Sequence, residues 1–405
     1  MTLFLGVAMA LTSATGVRTL SIRQAFVMTT MTWVSLTVFA SFPFMFSERD
    51  LSFTDAFFEA MSGLTTTGST ILTNLDGLPP GILLWRSLLQ WLGGIGIIVV
   101  AMVFLPELKV GGMQIFKSES FDTFGKILPR AAEIASSIVW IYLALTLAGV
   151  FGYIAAGMQP FDAVAHALTS IATGGMSTRD ASFGEFKGAA EYVATLMMLV
   201  ASLPFVLYVQ ALAARLSPLF GNAQVRTYLQ VIVVAVLALT FYRVWTQEQN
   251  FEPVFRETLF NVTSIISGTG YASTDYQTWG AFAVMSFFLL GLIGGCAGST
   301  SCSVKIFRYQ ILFAAIRAQI RQIHSPRGVF TPRYEGRPVG DDVISSVMSF
   351  FVLFLVTMGV LAVALSMTGL DMITAVSGAA AALANIGPGL GETIGPAGTY
   401  APLND

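Results

Sequence analysis

Charged residues are scarce in this sequence of 405 residues, at 11% of the chain, whereas hydrophobic residues make up 55%. Soluble domains carry charges at about 25% of their positions, so this composition argues against a soluble globular protein. The 21 Lys and Arg residues nearly balance the 23 Asp and Glu residues, whereas proteins that bind nucleic acid carry a basic excess. The high apolar content also excludes an intrinsically disordered chain.

Cysteine is nearly absent as well. Cys296 and Cys302 are the two in the chain, and they lie six residues apart in a glycine-rich apolar stretch. Two cysteines provide neither a disulfide framework nor a four-ligand zinc pattern. We therefore expect both to serve as small packing residues.

The sequence is rich in long uncharged runs, and about 20 apolar residues are enough to span a bilayer as a helix. Seven such runs occupy residues 24–47, 87–106, 134–161, 192–214, 227–242, 276–304 and 343–370. Residues 1–17 are an eighth candidate. They lack the basic start of a signal peptide, so we interpret them as a membrane anchor, although Ala8-Met9-Ala10 leaves cleavage open.

Four segments repeat one pattern, in which an acidic residue precedes a short apolar stretch and then a threonine or similar residue before a glycine. They are residues 55–68, 162–174, 257–270 and 371–387, and their glycines are 106, 96 and 117 residues apart. The chain therefore reads as a fourfold array. Each short stretch has about 12 to 16 residues, too few to cross the hydrocarbon core, and fits a re-entrant half-helix beside a shared cavity.

Four such loops suit a dehydrated monovalent cation, because backbone carbonyls supply rings of oxygen ligands without formal charge. Glycine permits the backbone angles that aim successive carbonyls at one axis, and the half-helices direct the negative ends of their dipoles toward the ion. We therefore expect the four glycines to converge around one axis in a single subunit. The fourth loop, residues 385–391, is expected to be the least firmly held.

The distribution of charge predicts the orientation. If the glycine loops face outward, 16 of the 23 acidic residues lie outside, and 15 of the 21 basic residues lie inside. The six outer basic residues are Arg49, Arg86, Arg179, Lys187, Arg243 and Arg256. Because basic residues concentrate on the cytoplasmic side, the loops are predicted to face outward, at an acidic mouth that would concentrate cations.

Five stretches resemble the Trk/Ktr/HKT superfamily of potassium transporters, most closely its bacterial TrkH type. They are FFEAMSGLTTTG (57–68), QWLGGIGII (90–98), IATGGMST (171–178), IGGCAGST (293–300) and NIGPGL (385–390). The likeness covers nearly the whole chain in order. It implies an all-α integral membrane protein with four pseudo-repeats of helix, re-entrant pore helix with filter loop, and helix around one pore, which takes up potassium.

The resemblance also divides the chain. The expected parts are a partial N-terminal extra helix (1–20), pore repeat 1 (21–110), a cytosolic linker (111–130), pore repeat 2 (131–218), pore repeat 3 with a broken gate helix (219–325), a cytosolic loop (326–342) and an incomplete pore repeat 4 (343–405). The TrkH type usually has two helices at its start and a further membrane helix after the fourth filter. We therefore expect a sequence truncated at both ends.

Carried over position by position, the resemblance places a K+ selectivity filter at three residues in each loop. These are Thr66, Thr67 and Gly68, then Ala172, Thr173 and Gly174, then Gly268, Thr269 and Gly270, and finally Asn385, Ile386 and Gly387. In related plant transporters, a serine in place of the first filter glycine accompanies a preference for sodium. The presence of Gly68 here therefore favours potassium.

The family also has an interrupted helix in its third repeat, which acts as an intramembrane gate and matches residues 294–305. Each glycine in a helix costs about 1 kcal/mol, so a break in this glycine-rich stretch is physically reasonable, although close packing of small residues would use the same composition. The predicted gate residues are Gly294, Gly295, Gly298, Ser299, Thr300 and Lys305.

The resemblance implies further partners: a second copy of the chain in a homodimer, and a cytosolic ring of the TrkA/KtrA kind that binds nucleotides and controls opening. No cofactor is expected on this chain, and the expected location is the inner (cytoplasmic) membrane. A basic stretch follows the gate, with Lys305, Arg308, Arg317, Arg321, Arg327, Arg333 and Arg337. It fits both positive-inside topology and docking of the ring.

Two other classes of function could use parts of this sequence. An intramembrane serine protease built on Ser299 would need a base near its nucleophile, but His166 and His324 are predicted on opposite sides of the membrane. The pattern G-x-x-x-x-G-K-[ST] is not met at Lys305, so no phosphate-binding loop is predicted and we expect a protein that is not an enzyme. A proton- or sodium-coupled K+ symporter stays open as the alternative, although the apolar runs contain no acidic residue to relay protons.

Overall fold

The computed structural model describes residues 22–47, 51–103, 112–113, 131–212, 221–247 and 250–403. Within them the regular structure is helical except for one hairpin, in which β1 (Arg333–Tyr334) pairs antiparallel with β2 (Arg337–Pro338). This agrees with the predicted all-α class. The predicted anchor at residues 1–17 lies outside the described residues, as does nearly all of the predicted linker at 111–130.

Thirteen α-helices fall within the described residues. They are α1 (Ile22–Met45), α2 (Phe53–Leu64), α3 (Pro80–Val103), α4 (Ala131–Ala155), α5 (Pro160–Ile171), α6 (Ala189–Ala201), α7 (Phe205–Leu212), α8 (Ala223–Gln247), α9 (Phe251–Ser267), α10 (Ala281–Ile293), α11 (Ile306–His324), α12 (Asp341–Ser366) and α13 (Met372–Ala384). Two short 3₁₀ turns, Leu75–Gly77 and Tyr276–Trp279, lie between helices.

Five of these helices, α1, α3, α4, α8 and α12, are long and apolar enough to cross a membrane. Helices α1 and α12 leave most of their apolar side chains uncovered by protein. Leu353 on α12, for example, is 65% exposed. In a bilayer such faces contact lipid tails, which are as apolar as the side chains themselves.

The run predicted at residues 192–214 is not one straight helix. It consists of α6 and α7, whose axes differ by 89° across the break at residues 202–204, and the pair is a sixth candidate span if counted together. Pro204 lies in this break. Proline lacks an amide hydrogen and disfavours helical geometry in the residue before it, which explains why α6 cannot continue.

Four short helices, α2, α5, α9 and α13, have 12, 12, 17 and 13 residues. Each packs against the long helix that precedes it in the chain, namely α1, α4, α8 and α12 in that order. Their starts are well defined, because the side chain of Ser52 caps α2, Pro160 begins α5, and the carboxylate of Asp371 caps α13. The short stretches predicted from the fourfold pattern are therefore helices, although α9 begins six residues ahead of Glu257.

Candidate functional site

The four short helices end in loops that share one backbone pattern. The residue at the first loop position has a positive φ, with values of 61°, 50°, 80° and 58° at Thr66, Thr173, Gly268 and Asn385. The residue two places later is glycine in all four loops, at Gly68, Gly175, Gly270 and Gly387. We call residues 66–68 loop 1, 173–175 loop 2, 268–270 loop 3 and 385–387 loop 4.

This pattern places loop 2 at residues 173–175, one residue later than the filter position expected from the sequence. The sequence comparison equated residues 172–174 with residues 66–68. In the structure, Ala172 caps α5 with a φ of −76°, and Thr173 is the first residue with a positive φ. Gly175 is therefore the structural counterpart of the glycine in the third position of the other loops.

The loops touch one another in a closed ring. Each third-position glycine packs against the next loop so closely that a Cβ atom would have little or no room. A Cβ added to Gly68 would lie 2.1 Å from the Gly174 oxygen, and one added to Gly175 would lie 1.9 Å from the Thr269 oxygen. A Cβ added to Gly270 would lie 2.9 Å from the Gly387 nitrogen, and one added to Gly387 would lie 3.2 Å from the Thr67 oxygen. The structure thus brings the four glycine loops together within one chain, in the order 1, 2, 3, 4 and back to 1.

Helices α2, α5, α9 and α13 all end at this ring, so the negative ends of their dipoles converge on it. Within the described part of the chain, no group of three or more His, Cys, Asp or Glu residues could hold a metal ion. The ligands that the ring itself offers are neutral backbone and hydroxyl oxygens. Such ligands suit a monovalent cation better than a divalent one, which is usually held by carboxylates.

One cavity touches the third positions of all four loops, and a covering segment, residues 394–400, lines its other side. Tyr400 fastens this segment, because its hydroxyl donates to the Gly387 oxygen at 3.0 Å and its amide donates to the Thr70 oxygen at 2.9 Å. The hydroxyl of Ser69 donates to the same Gly387 oxygen at 2.9 Å. Loop 4, which the sequence analysis expected to be the least firmly held, is therefore tied directly to loop 1.

Residues 294–305, which we call the interrupting segment, separate α10 from α11 as the sequence predicts. The hydroxyl of Ser301 donates to the Ser267 oxygen at the end of α9 at 2.6 Å, and the amide of Ser303 donates to the Ala384 oxygen at the end of α13 at 2.9 Å. This segment contacts the helix ends and the first loop positions, whereas the cavity touches the third positions. The two therefore lie on opposite sides of the ring.

The six predicted gate residues all lie in this segment, and their contacts bind it to itself and to the break between α6 and α7. Gly294 adopts a φ of 79° beside the Cys302 oxygen. Three hydrogen bonds hold the segment to itself and to the end of α10: Gly295 N to Ser301 Oγ, Ser299 Oγ to the Cys296 oxygen, and Lys305 N to the Ile293 oxygen. Two more reach the break between α6 and α7: Phe205 N to the Gly298 oxygen, and Thr300 Oγ1 to the Ala201 oxygen. The two broken helices thus meet at their breaks, a contact that the sequence analysis did not anticipate.

The contacts of Ser299 also bear on the protease alternative. Its hydroxyl donates to a backbone carbonyl in its own segment at 2.6 Å. The ring of His166 is bonded elsewhere, to the Asp162 oxygen at 2.8 Å and the Ser177 hydroxyl at 3.0 Å. Neither contact pairs a base with the serine, so the geometry gives the protease no support.

The surface near loop 2 carries an ion-pair network. Arg179 contacts Asp76 at 3.1 Å, Asp162 at 3.0 Å and Glu185 at 3.6 Å. The hydrogen bonds to Asp76 and Asp162 raise the pKa of the Arg179 guanidinium above its ordinary value. This arginine therefore stays charged and joins the turn after loop 1 to the start of α5.

The side chains that hold the loops from behind do not stand out in the sequence pattern. Arg86 entered only as an outer charge and Gln90 only as part of a family motif, yet Gln90 bonds to Gly174 of loop 2 and Arg86 bonds to Ser177, two residues after that loop. A usable signal exists in the sequence: Glu59 and Asn261 are polar residues inside apolar stretches, each nine residues before a third-position glycine. Both are fully buried.

Comparison with known proteins decides the family. The sequence profile named TrkH, described as a cation transport protein, matches residues 1–399. The chain belongs to the TrkH family. The family resemblance inferred from the sequence is therefore confirmed, and with it the assignment to multi-pass membrane proteins.

Individual members of the TrkH family are similar along nearly the whole chain. The Trk system potassium uptake protein TrkI of Halomonas elongata is 47% identical, over 94% of this chain and 78% of its own. The Trk system potassium uptake protein TrkH of Vibrio parahaemolyticus is 36% identical, over 91% and 78%. The crystal structure of the potassium transporter TrkH from Vibrio parahaemolyticus superposes with a TM-score of 0.86 at 32% identity, covering 96% of this chain and 81% of that one.

Proposed function

We propose that this TrkH-family chain takes up potassium through a selectivity filter formed by loops 1 to 4. The observation that carries the proposal is the closed ring of loops within one subunit, in which each third-position glycine packs against the next loop. The similarity to proteins named for potassium uptake supports potassium as the ion. In this proposal the ring binds the ion with backbone carbonyl oxygens, aided by hydroxyls of the threonines, and the structural register adds Gly175 to the filter residues expected in loop 2.

A ring assembled from one chain meets the coordination requirement of a dehydrated ion. Oxygen ligands must approach from every side, because a missing quadrant leaves the ion partly unsolvated. Four loops in quasi-equivalent conformations provide the four quadrants, and four helix ends add a favourable potential without any fixed charge that would trap the ion. The contribution of one quadrant by each loop also supports the proposed division of the chain into four repeats, with the boundaries expected from the sequence.

The interrupting segment is proposed as the gate. It contacts the ends of α9 and α13 on the side of the ring opposite the cavity, so an ion leaving the ring must pass it. Its glycines permit rearrangement of the backbone, as a movable barrier requires. Opening would involve the break between α6 and α7, because the two breaks are bonded to each other.

The orientation and partners are proposed from charge and family. Acidic residues predominate on the side of the covering segment, which we place outside the cell, so that uptake runs from the cavity through the ring to the gate. On the other side, Arg317, Arg321, Arg327, Arg333 and Arg337 are exposed. In contrast, Arg308 is buried and stacks on Phe350. The exposed arginines suit docking of a nucleotide-binding regulatory ring at the inner membrane, and a homodimer is the proposed assembly.

The decisive experiment measures ion flux through the purified chain in liposomes. We expect uptake of 86Rb+, a K+ substitute, to exceed that of 22Na+, and K+ but not Na+ to compete with it. Liposomes with Gly157→Ser serve as a matched control, because Gly157 has a positive φ of 93° but has open space around it, outside the loops. Equal uptake of both ions would contradict the filter, and flux strictly coupled to protons or sodium would contradict a gated pore.

A further inference from the structure

Three polar side chains form a buried cluster behind loops 1 and 2. Arg86 and Gln90 lie four residues apart on α3, and Glu59 lies on α2. Their exposed fractions are 1%, 0% and 0%. Burial of charged groups is costly unless they are paired and hydrogen-bonded, so the contacts that this cluster makes must be extensive.

Arg86 joins the segments that directly follow loops 1 and 2 to each other. Its Nε lies 2.7 Å from a carboxylate oxygen of Glu59, one terminal nitrogen donates to the Ser177 oxygen at 2.9 Å, and the other donates to the Thr70 hydroxyl at 3.0 Å. Thr70 and Ser177 occupy equivalent places, each two residues after the third-position glycine of its loop. A single planar guanidinium therefore fixes the separation of two neighbouring loops, which a lysine with one nitrogen cannot do.

Gln90 fixes loop 2 itself. Its Nε2 donates to the Gly174 oxygen at 2.6 Å, and its Oε1 accepts from the Met176 amide at 3.1 Å. A Cβ on Gly174 would lie 2.3 Å from the Cδ of Gln90, so this side chain fills the space directly behind the loop. The amide group thus sets the direction of one carbonyl of the ring.

Comparison with loop 3 shows which of the contacts of Glu59 needs a charged carboxylate. Glu59 accepts from the Ile71 amide at 3.0 Å, and Asn261 accepts from the Ser273 amide at 3.2 Å. The two acceptors are nine residues before their glycines, and the two amides are three residues after them. Since a neutral asparagine suffices in loop 3, the charge of Glu59 is needed for Arg86 rather than for the loop amide.

We propose that Arg86, Gln90 and Glu59 are positioning residues that determine ion selectivity by holding loops 1 and 2 at the separation that K+ requires. The proposal rests on the filter function proposed above. Discrimination against the smaller Na+ requires that the ring resist contraction, and a rigid bond between neighbouring loops provides that resistance. No part of this role requires the three side chains to touch the ion.

The first test uses substitutions that keep size but remove hydrogen bonds. Arg86→Lys keeps the charge but loses the planar guanidinium, which binds three partners at once. Gln90→Met keeps the volume but loses both hydrogen bonds to the Gly174 oxygen and the Met176 amide. Each is expected to lower the ratio of the KM for Na+ to the KM for Rb+ by about tenfold. Uptake per transporter in the membrane is measured in parallel, because a merely structural role would change the amount of protein and the maximal rate but not this ratio.

Arg243→Lys is the matched control. Arg243 also forms a buried ion pair, with Glu257 at 3.0 Å, and bonds to Val254 and Thr258 on α9, both ten or more residues before loop 3. Its substitution is expected to leave the KM ratio unchanged. An unchanged ratio in both Arg86→Lys and Gln90→Met, or an equal loss in Arg243→Lys, would overturn the proposal.

A charge cycle tests Glu59. Arg86 lines the cavity, so Glu59→Gln leaves an unpaired positive charge beside the path of a cation, and the maximal rate is expected to fall. In Glu59→Gln/Arg86→Gln the rate should recover while the KM ratio stays low, because the charge is gone but the bond between the loops is not restored. Recovery of both quantities would show that the pair acts through charge alone and would overturn the positioning role.

The filter proposal and the positioning proposal can be tested separately. Gly68→Ser alters the ring directly and should lower the KM ratio whatever the cluster does. If Gly68→Ser changes the ratio and the cluster variants do not, the filter stands and the positioning role is wrong. If no variant changes it, including Gly68→Ser, the filter itself is contradicted.

Discussion

The side-chain amide of Asn385 donates a hydrogen bond to the Sγ of Cys302 at 3.0 Å. The first residue comes from loop 4 and the second from the interrupting segment, so ring and segment are in direct contact. Thr66 of loop 1 also approaches the same sulfur, at 3.9 Å. A barrier this close to the ring can close the path without any large movement of the helices.

We expect Ser301→Ala to raise the basal flux. The Ser301 hydroxyl donates to the Ser267 oxygen and accepts from the Gly295 amide, and the variant loses both bonds. Since a hydrogen bond contributes about 1 kcal/mol, the closed state should weaken enough to raise 86Rb+ flux by roughly fivefold or more. Selectivity should not change, because the ring is left intact.

Ser286→Ala is the control for this prediction. Ser286 lies on α10, is half-buried, and donates within its own helix, to the Phe282 oxygen. Its substitution should leave basal flux at the wild-type level. If Ser301→Ala instead lowered the ratio of K+ to Na+ uptake at constant flux, the segment would belong to the filter rather than to a gate.

Loop 2 offers a test of the register. A Cβ on Gly175 would lie 1.9 Å from the backbone oxygen of Thr269, whereas a Cβ on Gly174 would meet the flexible side chain of Gln90. We therefore expect Gly175→Ala to impair selectivity at least as strongly as Gly68→Ala, since both disturb the backbone contact with the next loop. Competition between 86Rb+ and Na+ uptake measures this, with Gly157→Ala as the control.

The outcome for Gly174→Ala separates the two registers. Its substitution should act mainly by displacing Gln90, so adding Gly174→Ala to Gln90→Ala should cost little further selectivity. Gly175→Ala should lower selectivity further in the same Gln90→Ala background, because its obstacle is backbone. Equal effects of the two glycine substitutions in that background would contradict the structural register.

Much of this fold could be predicted from the sequence, because apolar length and glycine placement are local properties. The register of loop 2 could not, since the consecutive glycines Gly174 and Gly175 satisfy the motif in either alignment, and only the backbone angle of Thr173 distinguishes them. The bend after Ala201 was missed because the apolar run continues through Pro204 without interruption. The cluster around Arg86 could not be predicted, because its partners are up to 91 residues away in the chain.

The anchoring of loop 4 should be redundant. Ser69 and Tyr400 both donate to the Gly387 oxygen, so either hydroxyl can hold that carbonyl when the other is removed. Ser69→Ala and Tyr400→Phe are each expected to change selectivity little. The double variant should lose more than the sum of the two, by about 0.5–1.5 kcal/mol of coupling when the selectivity ratios are expressed as free energies. Strict additivity would mean that the two bonds act independently.

The orientation of the chain can be tested with two single cysteine substitutions. Thr278 is an exposed residue within the turn Tyr276–Trp279, which follows loop 3, and Val329 is 93% exposed between α11 and β1. Both are β-branched surface residues, and the native Cys296 and Cys302 are buried, so the unmodified chain gives a low background. If the loops face outward, a membrane-impermeant thiol reagent added to intact cells should label Thr278→Cys and not Val329→Cys. Permeabilised cells should allow labelling of both, which confirms that Val329→Cys is reactive. Labelling of Val329→Cys alone in intact cells would reverse the orientation, and the direction of uptake through the ring would then have to be reversed with it.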